Sequence, residues 1–400
     1  MGVPLIIAGW PKGMDNIHYP HELPDGALRD AVNVDVLDSG KLRMRKGSTS
    51  AVVATATHSL WDNENLSKSY YVAGTTLYSI TDKLVSTSIV TGLADGAKVA
   101  FLQINGEVFW SNGYVSGRIV NDVNHPIGLE TPARVAVMAQ TVGALPAGRY
   151  QVSTTFKNAA GEESGAMNGE PITLTATSGI AITGMPPAQN ASITYRCIYI
   201  TPTNGDVFYK IATLPVATTT YTLANMPPQT VALRTQDTQP MPAGRILAYL
   251  NGILYVAVGN MIYHSEPMRY GQCAIRKNFY IYSVDVDVML ATPAGLYVCA
   301  DKTYLMENPG TSEVVQRHIY PFGGVFGTGV YLPNSEDVAW FSPKGQVIVV
   351  DGKPTIPAEK LFVPSEMTEG AALVREQNGV RQIINVAHTD VANTLEHTGV

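Results

Sequence analysis

Charge is scarce in this sequence. Asp, Glu, Lys and Arg make up only 15% of its 400 residues, against about a quarter in an average soluble domain. The balance is acidic, −6 at pH 7, and no long basic stripe is present. That argues against gripping nucleic acid, which needs Lys and Arg to neutralise phosphates, but leaves room for passively surrounding it. The one basic cluster, Lys41, Arg43, Arg45 and Lys46, puts its first three members on one strand face and reads as a solvated edge. Cysteine is equally sparse. Cys197, Cys273 and Cys299 are too few and too far apart for a disulfide framework or a zinc site, and read as small buried hydrophobes of a protein made in a reducing cytoplasm. No apolar run is long enough to cross a bilayer, and the opening MGVPLIIAGWPKGMD has no basic n-region. The reading is a soluble chain without membrane contact, not exported by the usual route.

Catalytic signatures are missing too. The segment Asp38-Ser39-Gly40-Lys41-Leu42 lacks the upstream glycine and following Ser/Thr of a phosphate-binding loop. No Gly-x-Ser-x-Gly elbow, His-Glu-x-x-His helix or Cys-x-x-Cys pair occurs. His18 and His21 flank Pro20 in an extended loop and read as solvent-exposed rather than metal-binding. Asp285 and Asp287 in "YSVDVDVML" read as neighbours on one face of a strand, about 7 Å apart. That face is expected to be a solvated one, the competing use being a cation site or glycosidase acid pair. The Gly-rich 320–330 stretch, "YPFGGVFGTGV", has no helix after it and is read as a tight turn. No catalytic, cofactor-binding or metal-binding residue is assigned, no cofactor is implied, and the chain is expected not to be an enzyme.

What the sequence has in quantity is β-forming material: 45% hydrophobic residues, 20 Tyr, 36 Gly and 25 Pro. Pleated surfaces accept branched and aromatic side chains, and Gly, Pro and Asn supply turns. Ala31–Leu37 and Lys41–Arg45 alternate around Asp38-Ser39-Gly40 as a hairpin, preceded by a Leu23-Pro24-Asp25-Gly26 turn leading into one helical turn around Ala27–Asp30. Further hairpins are expected across Gly74-Thr75, Asn112-Gly113, Gly259-Asn260, Asp301-Lys302 and Pro343-Lys344-Gly345. With Trp110, Tyr255, Tyr297 and Trp340 aligned, the last two steps are roughly 42 and 43 residues, a spacing typical of propeller blades. Trp61, Tyr70, Tyr255, Tyr263, Tyr297 and Trp340 are then packing anchors rather than sugar-stacking residues. A barrel of successive hairpins is the alternative body.

The repeat is interrupted over 130–238 by six or seven short alternating strands with a polar turn every 8 to 12 residues, the rhythm of a β-sandwich. Without a Cys–Trp–Cys set, the fibronectin type III form fits better than an antibody domain. The fold class is therefore all-β, a propeller-like body of repeated hairpins carrying an inserted immunoglobulin/fibronectin III-like sandwich. Five segments follow: an N-terminal arm and hairpin (1–50), the propeller-like body before the insert (51–129), the insert itself (130–238), the propeller-like body after it (239–365) and a C-terminal segment (366–400). The last has one strand pair across Asn378-Gly379, and 385–400 is expected to order only against a partner.

The opening "KGMDNIHYPHELPDGALRDAVNVDVLDSGKLRMRKG" resembles the start of bacteriophage tail nozzle or packaged-DNA stabilisation proteins of the short-tailed type. Lys12-Gly13-Met14, Leu23-Pro24, Arg29-Asp30-Ala31, Asn33-Val34-Asp35, Gly40, Leu42-Arg43 and Arg45 occupy that pattern. The resemblance covers about 40 residues closely and the remainder by architecture alone. It implies a non-enzymatic virion tail component, assembled in the host bacterial cytoplasm. This would be a homo-oligomeric, commonly hexameric, ring below portal and adaptor, retaining packaged DNA and passing it on ejection with only non-specific contact. At 400 residues the chain is short for that family, which leaves its station in the tail open. The competing expectations are a receptor- or glycan-binding propeller at the tail periphery, and a propeller glycoside hydrolase using Asp285 and Asp287.

Overall fold

The computed structural model describes residues 9–31, 34–37, 39–44, 54–62, 68–133, 137–166, 169–361, 364, 367–377 and 380–388. Among them there is no helix; every regular element is a strand. Asn33, Asp38, Arg45, Lys46, the Asn378-Gly379 turn and 389–400 lie outside the described residues. The chain divides into two compact units, one of 58–80 and 86–281, the other of 1–57, 81–85 and 282–400.

Five four-stranded sheets recur, each with strands paired in chain order. Sheet I is Thr57–Trp61, Lys68–Ala73, Thr76–Thr81 and Ser86–Val90. Sheet II is Ala100–Ile104, Glu107–Ser111, Ser116–Val120 and Val123–Pro126. Sheet III is Ile246–Leu250, Ile253–Val258, Met261–His264 and Phe279–Ile281. Sheet IV is Val288–Thr292, Gly295–Cys299, Thr303–Glu307 and Val315–Tyr320. Sheet V is Val330–Tyr331, Val338–Ser342, Gly345–Val350 and Lys353–Thr355.

In the 58–80/86–281 unit, the second strand of sheet II, Glu107–Ser111, is buried on both faces. Successive strand residues point to opposite sides, so Val108 and Trp110 pack on Tyr70, Val72 and Leu77 of sheet I. Phe109, between them, packs instead with Leu247, Leu254 and Val256 of sheet III. Such a strand reads as a continuous apolar run because neither side meets water. Ser111, the polar residue on the second face, is matched on the backbone: its Oγ donates to Gly244 O at 2.7 Å and accepts from Gly244 N–H at 2.9 Å.

In the other unit, sheets IV and V share a core of Leu290, Tyr297, Cys299, Val338, Trp340 and Val347. The Tyr297 and Trp340 rings lie 5.6 Å apart there. All four aligned aromatics sit on the second strand of their sheets and are at most 2% exposed. Tyr70 and Trp110 share one core, as Tyr297 and Trp340 share another. Tyr71, next along the strand, points the other way and stacks on Tyr78.

The insert contains two sheets. Val137–Leu145, Ser178–Thr183 and Tyr221–Leu223 form the first, and Glu170–Leu174, Gly148–Asn158, Ile193–Ile200 and Tyr209–Pro215 the second, in those spatial orders. Leu145, Tyr150, Val152, Ile180, Ile198 and Leu223 from both sheets close one core.

Three local expectations are corrected. Ala27–Leu28 is not a helical turn but a short strand pairing in parallel with Gly13–Met14. The Asn112-Gly113 turn is wider than two residues: Ser111 pairs with Ser116, so Tyr114 and Val115 are loop, not strand. The cause is the Asn112 side chain, whose Oδ1 accepts the Tyr114 and Val115 N–H groups at 3.0 and 2.8 Å and holds a broader loop. Asp285 and Asp287 lie in the stretch between Ile281 and Val288, outside any strand. The hairpin of 34–36 with 42–44 forms in the expected register, Asp35 opposite Arg43. The C-terminal pair also forms, as Glu369–Gln377 with Val380–His388, so ordered strand reaches further than 385.

Candidate functional site

A cavity of about 800 Å³ opens in the 58–80/86–281 unit. One wall is sheet II, with Ile104, Asn105, Glu107, Phe109 and Arg118. The insert supplies the facing wall: Gly161–Glu163 from a turn, Tyr199 and Lys210 from the outward side of its four-stranded sheet, and Thr230–Ala232 with Arg234 from the returning chain. Ile127–Leu129 and Met268–Gln272 complete it.

The insert is rooted by close backbone approach. A Cβ on Gly128 would fall 2.0 Å from Gly271 O, and one on Gly165 1.8 Å from Thr238 O, so only glycine lets these strands pass. The two chain passages into and out of the insert touch, Thr131 Oγ1 donating to Thr238 O at 3.3 Å. Gln272 Nε2 donates to Glu163 O, tying the closing loop to the insert.

The electrostatics are those of linked pairs. Arg118 reaches Glu107 at 3.3 Å and Glu162 at 2.6 Å, one partner in sheet II and one in the insert. Glu163 accepts from the Thr155 and Tyr199 hydroxyls, both at 2.5 Å, and faces Lys210 at 3.6 Å. Burial, reinforced by the neighbouring Glu163 carboxylate, pushes the Tyr199 phenol well above its ordinary range. Tyr199 therefore stays a neutral donor. Tyr270 rests edge-on against Phe109 and Tyr249, at 6.0 and 5.7 Å, with Asn105 Nδ2 donating to its hydroxyl at 3.4 Å. No nucleophile–base pair and, among the described residues, no cluster of metal ligands is present.

No protein-family model and no curated protein matches this chain. Similarity to solved structures is slight. An N-terminal BBS1 fragment crystallised in complex with ARL6 matches at 12% identity over 74% of this chain and 91% of that one, with a TM-score of 0.20. Sqt1 of Saccharomyces cerevisiae matches at 9% over 71% and 91%, TM-score 0.18. The CNH domain of AfRom2 matches at 7% over 75% and 93%, TM-score 0.18. Superpositions this poor carry no argument about fold or activity.

The residues singled out by sequence are scattered. His18 is half exposed, its Nδ1 2.8 Å from the carboxylate of buried Asp15. His21 is exposed and stacks on Tyr19 at 5.8 Å. Asp285 is exposed and Asp287 half-buried, its N–H donating to Cys299 O at 2.9 Å. Lys41 and Arg43 are exposed. In the 320–330 stretch, Gly323 and Gly324 lie tight against Ala300 O and the Trp340 ring, so close backbone packing is what those glycines permit. All three cysteines are free and buried, and burial pushes the Cys273 and Cys299 thiols up to about 12, leaving them inert. None of these residues lines the cavity. Its charged residues went unnoticed because five separate segments bring them together. The one local signal was the Glu162-Glu163 pair in a turn otherwise made of small residues.

Proposed function

We propose that this chain is a non-enzymatic structural component of a bacteriophage tail, a nozzle or head-completion ring that extends the DNA channel and retains packaged DNA. The observation that carries this reading is the arm. Several residues of the nozzle-like pattern help hold it together: Gly13–Met14 pairs with Ala27–Leu28, Pro24 O accepts the Ala27 N–H at 3.0 Å, and Arg29 donates to His18 O at 2.6 Å. Gly40 accepts the Trp10 N–H and packs on Pro11, and its φ of +74° is one that a side chain would strain. In this reading the five four-stranded sheets, each with a buried aromatic on its second strand, are blades of a propeller-like body. The two-sheet insert is a sandwich of immunoglobulin or fibronectin type. Its strand orders, 1-4-7 and 3-2-5-6, depart from the immunoglobulin constant arrangement, so the kinship is one of architecture.

The ring partners, portal and adaptor, and passage of DNA without tight binding accord with the low charge and the acidic balance. The competing peripheral glycan-binding reading would rest on exposed aromatics such as Tyr19, Tyr114, Tyr195 and Tyr331, since Trp110, Tyr255, Tyr297 and Trp340 are buried. Gold-antibody labelling of particles of the virus encoding the chain tests the proposal. Label at the head–tail junction or along the tail axis is expected. Label on peripheral fibres, or on no particle while the protein is abundant in lysate, overturns it.

A further inference from the structure

The charges lining the cavity of the 58–80/86–281 unit do not cancel. Its three carboxylates are already engaged, Glu107 and Glu162 on Arg118 and Glu163 on Lys210 and two hydroxyls. Arg234 and Arg269 line the same cavity, and among the described residues neither has an acidic partner. Arg269 uses one N–H on the carbonyl of Arg234, at 3.3 Å, which sets the two residues side by side. A guanidinium carries five donors in a planar fork shaped for a carboxylate, and most of these ten are free.

The neighbouring wall offers the complement of a polar ring. Tyr270 presents a half-exposed aromatic surface held by Phe109 and Tyr249. Gln272 is only 7% exposed and its Oε1 has no hydrogen-bond partner. That oxygen is shut off from the cavity, while Gln272 Nε2 holds the wall together by donating to Glu163 O. The volume suits a ligand of one or two sugar rings.

We propose that this cavity binds an acidic sugar, its carboxylate held by Arg234 and Arg269 and its ring against Tyr270. The site is independent of where in a particle the chain sits. Titration calorimetry on the full chain tests it, with glucuronate, glucose and inorganic phosphate as probes. Glucuronate is expected to bind at least tenfold more tightly than either of the others. The double variant Arg234→Ala/Arg269→Ala should lose at least tenfold in glucuronate affinity while keeping the parent's thermal unfolding. Should the double variant not fold, Arg269→Lys keeps the charge and removes the fork, and a several-fold loss is expected. Absence of glucuronate binding, phosphate binding as tight as glucuronate, or variants that bind like the parent would each overturn the proposal.

Discussion

Two tryptophans at matching positions differ in one atom's surroundings. Trp110 Nε1 donates to Asn124 Oδ1 at 2.8 Å, whereas Trp340 Nε1 is buried without a partner. An unmet buried donor costs about 1–3 kcal/mol, and removing it offsets part of the volume lost. Trp340→Phe should therefore destabilise less than Trp110→Phe, by about 1–2 kcal/mol, in chemical unfolding followed by fluorescence. Asp15 supplies a second contrast. Burial raises its carboxyl pKa, but the His18 and Ile17 N–H groups and the His18 imidazole outweigh that and leave it below its ordinary value. A depressed carboxylate stabilises above its unfolded pKa, about 3.9, and that contribution fades as pH falls through the folded value. Asp15→Asn should lower the urea midpoint at pH 7 and differ less from the parent at pH 3. An equal gap at both values would show that the carboxylate charge is not what matters there.

At the level of elements, hairpins with local turn chemistry were legible. Ile253–Val258 and Met261–His264 meet across Gly259-Asn260 as the alternation requires. What local pattern could not reveal was pairing at a distance. Ala27–Leu28 looked helical because its partner, Gly13–Met14, lies fourteen residues upstream and binds in parallel. The apparent strand around Asp285 and Asp287 is a connection because sheet III ends at Ile281 and sheet IV begins at Val288. The direction in which aligned aromatics face was equally hidden, since one residue of register turns Tyr70 inward and Tyr71 away. The root of the insert gives the sharpest test at this scale. Gly165→Ala would drive a methyl into Thr238 O, and a loss of several kcal/mol is expected. Hydrogen exchange should place the first amides to lose protection in 130–166 and 230–240. Unaltered exchange there would mean the root relaxes freely.

For the whole molecule, composition set the class correctly: few charges, many turn formers and abundant β-branched and aromatic residues gave a chain with no described helix. Assembly is where the acidic balance has its consequence. In the proposed ring, copies each carrying −6 would repel one another, and added salt would screen that repulsion, the Debye length falling from about 30 Å at 0.01 M to about 8 Å at 0.15 M. Sedimentation velocity on the purified chain should show more ring at 0.15 M salt than at 0.01 M, and the opposite trend would imply assembly through attractive ion pairs. The touching passages at Thr131 and Thr238 have a different consequence. Because the chain enters and leaves the insert side by side, replacing it leaves the host strands continuous, at the loss of the Arg118–Glu162 and Gln272–Glu163 links. An insert of different sequence could then occupy the same root while the host sheets keep their own strand pairing.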